Sequence, residues 1–161
     1  MSDRSARSAA RLAAVQALYQ MELTGHGAEE TVFEFTEHRF GVEPETGMAG
    51  GIDIEFFGLL VRGVPEHQAE IDASIAKCLS ADWRLTRIDS ILRAILRAAA
   101  FEMVAAKDVP AKVVIDEYVD VAHAFFSGNE PSFVNAALDK LAHRKRAPEF
   151  GEAPPDDELQ F

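Results

Sequence analysis

The stretch TRIDSILRAILRAAAFEM, residues 86–103, decides the fold class, because its apolar residues recur with the period of an α-helix. Thr86 and Asp89 stand three residues apart and predict the start of the helix, since each side chain can reach the other's free backbone N–H. The positions expected to face the core are Ile88, Leu92, Ile95, Leu96, Ala99 and Met103. We therefore expect a buried central helix here.

The rest of the chain has the same period, and no segment alternates like a β-strand for long. Further helices are predicted over about residues 4–23, 29–40, 53–64, from Pro65 to Leu79, from Pro110 to Phe125, and over 132–144. In the second of these, the apolar positions are Val32, Phe33 and Phe40. The pattern predicts an all-α fold of about seven helices.

Two segments break this pattern. Residues 41–51, GVEPETGMAGG, contain four glycines and a proline and predict a flexible connector. Residues 147–161, APEFGEAPPDDELQF, combine three prolines and five acids with little apolar matter. We expect this C-terminal segment to be disordered.

The net charge of -11 is unevenly distributed. Residues 26–57 and 147–161 together carry -12, which leaves +1 on all other residues. Basic patches lie at residues 4–11, 84–97 and 140–146. An acidic chain of this kind can therefore still bind a polyanion.

Little in the sequence points to catalysis, to a metal or to a cofactor. The five histidines lack ligand spacing, and the lone Cys78 lies in an apolar helical pattern that predicts packing. Asp116 and Asp120 share a helix face, which fits either an acid–base or metal pair or, more simply, a favourable interaction with the helix dipole. No run of about 18 apolar residues exists. We expect a cytoplasmic protein that is not an enzyme.

The first helix carries the most informative charges. Arg4, Arg7 and Arg11 lie on the same face as Val15 and Leu18, so an apolar face becomes cationic towards the N-terminus. The simplest geometry is a helix whose first two turns extend beyond the bundle. The length of such an arginine row is similar to the distance between neighbouring phosphates of a nucleic-acid strand. Guanidinium groups also bind phosphate bidentately. The row predicts an anionic partner.

Four ordered motifs resemble the transcription antitermination factor NusB family: AVQALYQMEL (14–23), DWRLTRIDSILRAILRAAAFEM (82–103), VPAKVVIDEYVDVA (109–122) and SFVNAALDKL (132–141). The resemblance implies one all-helical RNA-binding domain over residues 1–146, built from two packed small bundles at about 4–64 and 65–146. It also implies binding to the boxA element of ribosomal RNA leader transcripts. The expected partner is a small-subunit ribosomal protein, called NusE in this role, and the pair helps RNA polymerase read through terminators.

The resemblance also implies specific site residues. The expected RNA contacts are Arg4, Arg7, Arg11, Tyr19, Phe125, Asn129 and Phe133. The expected contacts to the ribosomal partner are Asp89, Phe125, Asn129 and Phe133. The acidic C-terminal segment is predicted to compete weakly with RNA for the basic surface.

Two alternative functions stay open at this point, and so does the oligomeric state of the free protein. The chain also resembles the N-terminal helical module of ribosomal RNA cytosine methyltransferases, although it contains no catalytic domain. Alternatively, it is a helical interaction protein whose arginines meet a protein carboxylate patch and not RNA. The free protein is either a monomer or a homodimer.

Overall fold

The computed structural model describes residues 3–40, 51–80 and 84–158. Over these ranges the secondary structure is helical and contains no strand, which confirms the predicted all-α fold. The helices are α1 (Asp3–Thr24), α2 (Ala28–Glu34), α3 (Ile54–Glu66), α4 (Gln68–Ala76), α5 (Ser90–Ala105), α6 (Ala111–Phe125) and α7 (Glu130–Lys145). A π-helical turn at Phe35–Arg39 continues α2, and a 3-10 helix at Ala147–Phe150 follows α7. None of the described helices is long and apolar enough to cross a membrane.

The chain divides into two compact units, Met1–Glu66 and His67–Phe161. In the first unit, α1 packs mainly on α3, and α2 packs on both. The helix α1 ends at Thr24 and is followed by Gly25, whose φ of +78° is the left-handed conformation that glycine adopts without strain. The Gly25 amide donates to the Met21 carbonyl at 2.8 Å and so closes the last turn. The predicted connector at 41–51 lies outside the described residues except for Gly51.

The prediction for the second helix is wrong in one respect. Phe33 is 62% exposed, whereas Phe35 is buried, with its ring centroid 5.9 Å from that of Phe40 and 5.6 Å from that of Phe57. The reason is ordinary α-helical spacing, which places Phe35 on the same face as the buried Thr31 and Val32 and turns Phe33 away from it. The π-helical turn follows, and the Phe40 amide bonds to the Phe35 carbonyl five residues back, which brings Phe40 onto that face.

In the second unit, α5 is the central helix and packs on α4, α6 and α7. All six residues predicted to face the core from this helix or just before it are buried. The predicted Thr86–Asp89 box does not form, because residues 85–88 are a turn. Asp89 is itself the N-cap, and its Oδ1 accepts from the Ile91 amide at 2.7 Å and the Leu92 amide at 3.4 Å. The helix therefore begins at Ser90.

The predicted position of Pro65 is also wrong. Pro65 lies in the last turn of α3, and α4 begins later, at Gln68. Because Pro65 still belongs to α3, it does not lie in the first turn of α4. Pro110, by contrast, is the N-cap of α6, and Pro131 lies in the first turn of α7.

Residues 147–158 of the C-terminal segment lie within the described ranges, and the first of them contact the second unit. The Arg146 guanidinium donates to the carbonyls of Met103 at 2.6 Å and Ala106 at 3.0 Å, where α5 ends, and pairs with Glu149. Glu149 in turn accepts from the Ala111 amide at 2.9 Å, at the start of α6. Residues 159–161 lie outside the described ranges.

Candidate nucleic-acid interface

The arginine row lies on α1 as predicted, but its three members have different environments. Arg4 is exposed, Arg7 is partly buried, and Arg11 is only 2% exposed. A fully projecting helical end would leave all three in solvent. The expected overhang is therefore wrong for Arg11.

The residue beneath the row is Phe56, in the first turn of α3. The guanidinium carbon of Arg7 lies 4.6 Å from the Phe56 ring centroid, and that of Arg11 lies 5.1 Å from it. Both distances are within the range of cation–π attraction, in which the negative ring face stabilises the cation. Two cations one turn apart on α1 thus share one aromatic ring, which limits the directions in which they can point.

Asp53 connects the start of α3 to the start of α1. Its Oδ1 accepts from the Phe56 amide at 3.0 Å, in the manner of a helix cap, and its Oδ2 lies 3.8 Å from Arg7 Nε. The Asp53 amide also donates to the carbonyl of Ala6 at 3.1 Å. Asp53 therefore positions the ring that supports Arg7 and pairs with Arg7 itself.

Tyr19 lies two turns beyond Arg11 on α1 and is half-buried. A half-buried tyrosine presents part of its ring to solvent while the rest is held by packing, which suits stacking on an unpaired base. The first unit therefore combines cations with one accessible aromatic side chain on the same helix.

The second unit contains the other predicted site residues. Asp89 is exposed at the N-terminus of α5. Phe125 ends α6, Asn129 is the N-cap of α7, and Phe133 lies in its first turn. Both phenylalanines are half-buried, whereas Asn129 is exposed. The turn at residues 126–129 thus connects two partly exposed rings through a polar segment.

Other sequence features that suggested chemistry have structural roles. Arg97 forms a bidentate pair with Asp72, at 2.8 and 2.9 Å, and Arg93 donates to the carbonyls of Leu85 and Ile88. Much of the basic patch at 84–97 is therefore used within the fold. Among the described residues, no group of three or more histidine, cysteine or acidic side chains is arranged to hold a metal ion.

The contact between Phe56 and the arginines was not predicted from the sequence. One signal was present in the sequence: Asp53 precedes Phe56 by three residues at a predicted helix start, which is typical of a capping acid. The sequences of α1 and α3, each taken alone, do not show that α3 lies beneath the first turns of α1.

Comparisons with known proteins agree with the all-helical fold. A model of the NusB family matches residues 8–143. Transcription antitermination protein NusB of Maricaulis maris (strain MCS10) is 54% identical over 144 residues, covering 89% of this chain and 90% of that protein. Its counterpart in Caulobacter vibrioides is 51% identical over 140 residues, covering 87% and 94% respectively.

Solved structures show the same likeness. NusB of T. maritima superposes with a TM-score of 0.74 at 29% identity, covering 93% of this chain and 98% of that one. A crystal structure of antitermination factors NusB and NusE in complex with double-stranded RNA gives a TM-score of 0.68 at 25% identity, covering 83% and 93%. The chain belongs to the NusB family, which consists of transcription antitermination factors and not of enzymes.

Proposed function

We propose that this protein binds boxA-type single-stranded RNA of ribosomal RNA leader transcripts, together with a small-subunit ribosomal protein acting as NusE. In this role it helps RNA polymerase read through terminators, as part of an antitermination complex, without catalysing a reaction. The observation that carries the proposal is the cationic start of α1, where Arg7 and Arg11 lie over Phe56 and Arg4 is exposed.

The arginines have separate roles in this proposal. Arg4 and Arg7 are accessible and bind phosphate oxygens, which gives affinity that falls as salt rises. Arg11 is too deeply buried for direct contact, so it holds the Phe56 ring in place and thereby helps to orient Arg7. Tyr19 stacks on an unpaired base, because every base offers a π-face to an aromatic side chain.

The second unit supplies the remaining contacts. We assign Phe125, Asn129 and Phe133 to a surface shared by RNA and the ribosomal partner, and Asp89 to the partner. Support comes from their partial or full exposure and from the similarity to a structure in which NusB and NusE are bound to RNA. That structure contains double-stranded RNA, so the strandedness of the ligand is part of the test.

The proposal is tested by titrating a fluorescent boxA oligonucleotide, single-stranded or annealed to its complement, with the intact protein. We expect the single strand to bind more tightly. The R4Q/R7Q variant is expected to weaken binding at least tenfold at low salt. It should also flatten the plot of log affinity against log salt by about 1.4, because two phosphate contacts at about 0.7 each are lost.

The matched control is R39Q/R62Q. It removes two arginines from the same unit, and Arg39 also lies over a phenylalanine, 4.7 Å from the Phe35 ring centroid. We expect affinity within about twofold of the unchanged protein. An equal loss in both variants would show that only net charge matters and would contradict a specific role for the α1 row.

A further inference from the structure

A second cationic site lies in the second unit, away from α1 in the sequence. Lys77 is the C-cap of α4, and Arg144 and Lys145 lie in the last turn of α7. We call these three residues the distal cluster. They converge on two adjacent acids near the C-terminus, Asp157 and Glu158.

The contacts show how the distal cluster holds an anion. Arg144 binds Asp157 bidentately, with Nη1–Oδ1 at 3.1 Å and Nη2–Oδ2 at 3.3 Å. Its Nη1 also lies 3.3 Å from Glu158 Oε2. Lys77 Nζ reaches Asp157 Oδ2 at 3.0 Å, and Lys145 Nζ reaches Glu158 Oε1 at 2.7 Å. A guanidinium fork with flanking ammonium groups is also the arrangement that binds phosphate.

The segment that carries the two acids is held at Glu152, which pairs with His143, and again at Asp157 and Glu158. Residues 151–157 are exposed and include two consecutive prolines, Pro154 and Pro155, which keep the chain extended. Asp157 retains 61% of its side-chain exposure, whereas the Glu158 side chain is 10% exposed. The ion pairs of Asp157 are partly exposed, so they are individually weak and sensitive to salt, and an external polyanion can compete with them. The Lys145–Glu158 pair is shielded, with side chains 6% and 10% exposed, so it opens only when the segment lifts away from the cluster.

We propose that the distal cluster is a second RNA phosphate-binding surface and that Asp157 and Glu158 are its built-in competitor. This inference rests on the proposed function only for the nature of the anion. Two successive carboxylates stand in for two successive phosphates of a single strand. Because the segment is part of the same chain, it competes at a high effective concentration, and only RNA that is already held elsewhere or is long enough displaces it.

The test uses the full-length chain and a fluorescent dodecauridylate, a single strand without the boxA sequence. In the D157N/E158Q variant, the distal cluster is no longer neutralised. We expect affinity at 50 mM KCl to rise at least fivefold over the unchanged protein. The slope of log affinity against log salt should steepen by up to about 2, corresponding to three added contacts at about 0.7 each.

Two further variants test whether the gain in RNA affinity comes from the distal cluster. The control D156N/E70Q also removes two negative charges from exposed positions, and neither residue belongs to the ion pairs described for the distal cluster. We expect it to change affinity by less than about 1.5-fold. Adding R144Q/K145Q to D157N/E158Q should abolish the gain, because the site that was exposed is then removed.

A purely structural role for the two acids would give a different result. In that case, D157N/E158Q would lower the melting temperature without raising affinity or steepening the salt dependence, which would overturn the proposal. If the variant does not fold, the intact protein gives the answer: titration with dodecauridylate must shift the NMR signals of Asp157 and Glu158. Unchanged signals at the highest RNA concentration would equally overturn it.

The test of the distal cluster and the test of the proposed function can give different answers. A gain of dodecauridylate binding in D157N/E158Q, with no preference for boxA in any variant, would support the distal cluster and contradict the proposed function. The opposite result is tight boxA binding that depends on Arg4 and Arg7, with no effect of D157N/E158Q on either boxA or dodecauridylate. That result would support the proposed function and contradict the distal cluster.

Discussion

Replacing Phe56 with leucine tests the way in which α3 supports the arginine row. The ring is 5% exposed and lies under both guanidinium groups. The pair with the buried Arg11 falls in the stronger range for cation–π contacts, about 1–2 kcal/mol, and that with the more exposed Arg7 in the weaker range, about 0.5–1 kcal/mol. Loss of ring volume adds about 1 kcal/mol. F56L should thus lower the free energy of unfolding by about 3 kcal/mol.

A double-mutant cycle isolates the contact from the packing loss. F56L, R11M and the double variant are unfolded in urea and followed by circular dichroism at 222 nm. We expect a coupling energy of about 1–2 kcal/mol between the two positions. In the matched cycle, F57L replaces F56L. Phe57 is the next ring on α3, is fully buried, and packs on Phe35 and Phe40, so its coupling to Arg11 should be near zero.

Two results would refute this reasoning. The first is a coupling between Phe56 and Arg11 below about 0.3 kcal/mol, which is within the additivity expected of independent sites. The second is an equal coupling in the Phe57 cycle. The same F56L variant should also bind boxA RNA several-fold more weakly at low salt, because Arg7 loses the ring that orients it.

Three further predictions concern the second unit. D89A should lower the free energy of unfolding by about 1 kcal/mol through loss of the N-cap, whereas D89N should keep stability and weaken only NusE binding; urea unfolding and a pull-down distinguish these effects. Hydrogen bonds from Arg144 and Lys77 lower the pKa of Asp157 from 3.8 to about 2, so the stability from this contact is present above pH 4 and lost as pH falls towards 2. A carboxyl NMR titration of Asp157 with a midpoint near 3.8 would contradict that contact. Burial raises the pKa of the Cys78 thiol to about 11, so a disulfide reagent at pH 8 should react with it only after denaturation, and rapid reaction of the folded protein would argue against a buried thiol.

The sequence predicted those features that depend on a regular local period. The positions of α5 that face the core followed from spacing alone, because a straight α-helix keeps its face over four turns. The same reasoning was wrong for Phe33, which points away from the face of Val32 and Phe35, and the π-helical turn after Glu34 is what brings Phe40 onto that face. A change of helix type of this kind has no clear signal in a single sequence.

The candidate site was predictable only in part for a similar reason. Spacing placed Arg4, Arg7 and Arg11 on one face, but it could not show that Phe56, more than forty residues later, would lie beneath two of them. Composition likewise gave no sign that Asp157, in the acidic C-terminal segment, would contact Lys77, which lies 80 residues earlier in the sequence. Contacts at this distance depend on packing of whole helices, which local patterns do not encode.

The most direct test of the central claim is one titration of fluorescent single-stranded boxA RNA at physiological salt, with and without the ribosomal partner NusE. We predict saturable binding that is at least tenfold tighter when the partner is present, because two linked sites then hold the RNA. A scrambled strand of equal composition should not show this gain. Affinity for boxA that neither exceeds that for the scrambled strand nor responds to NusE would contradict the account.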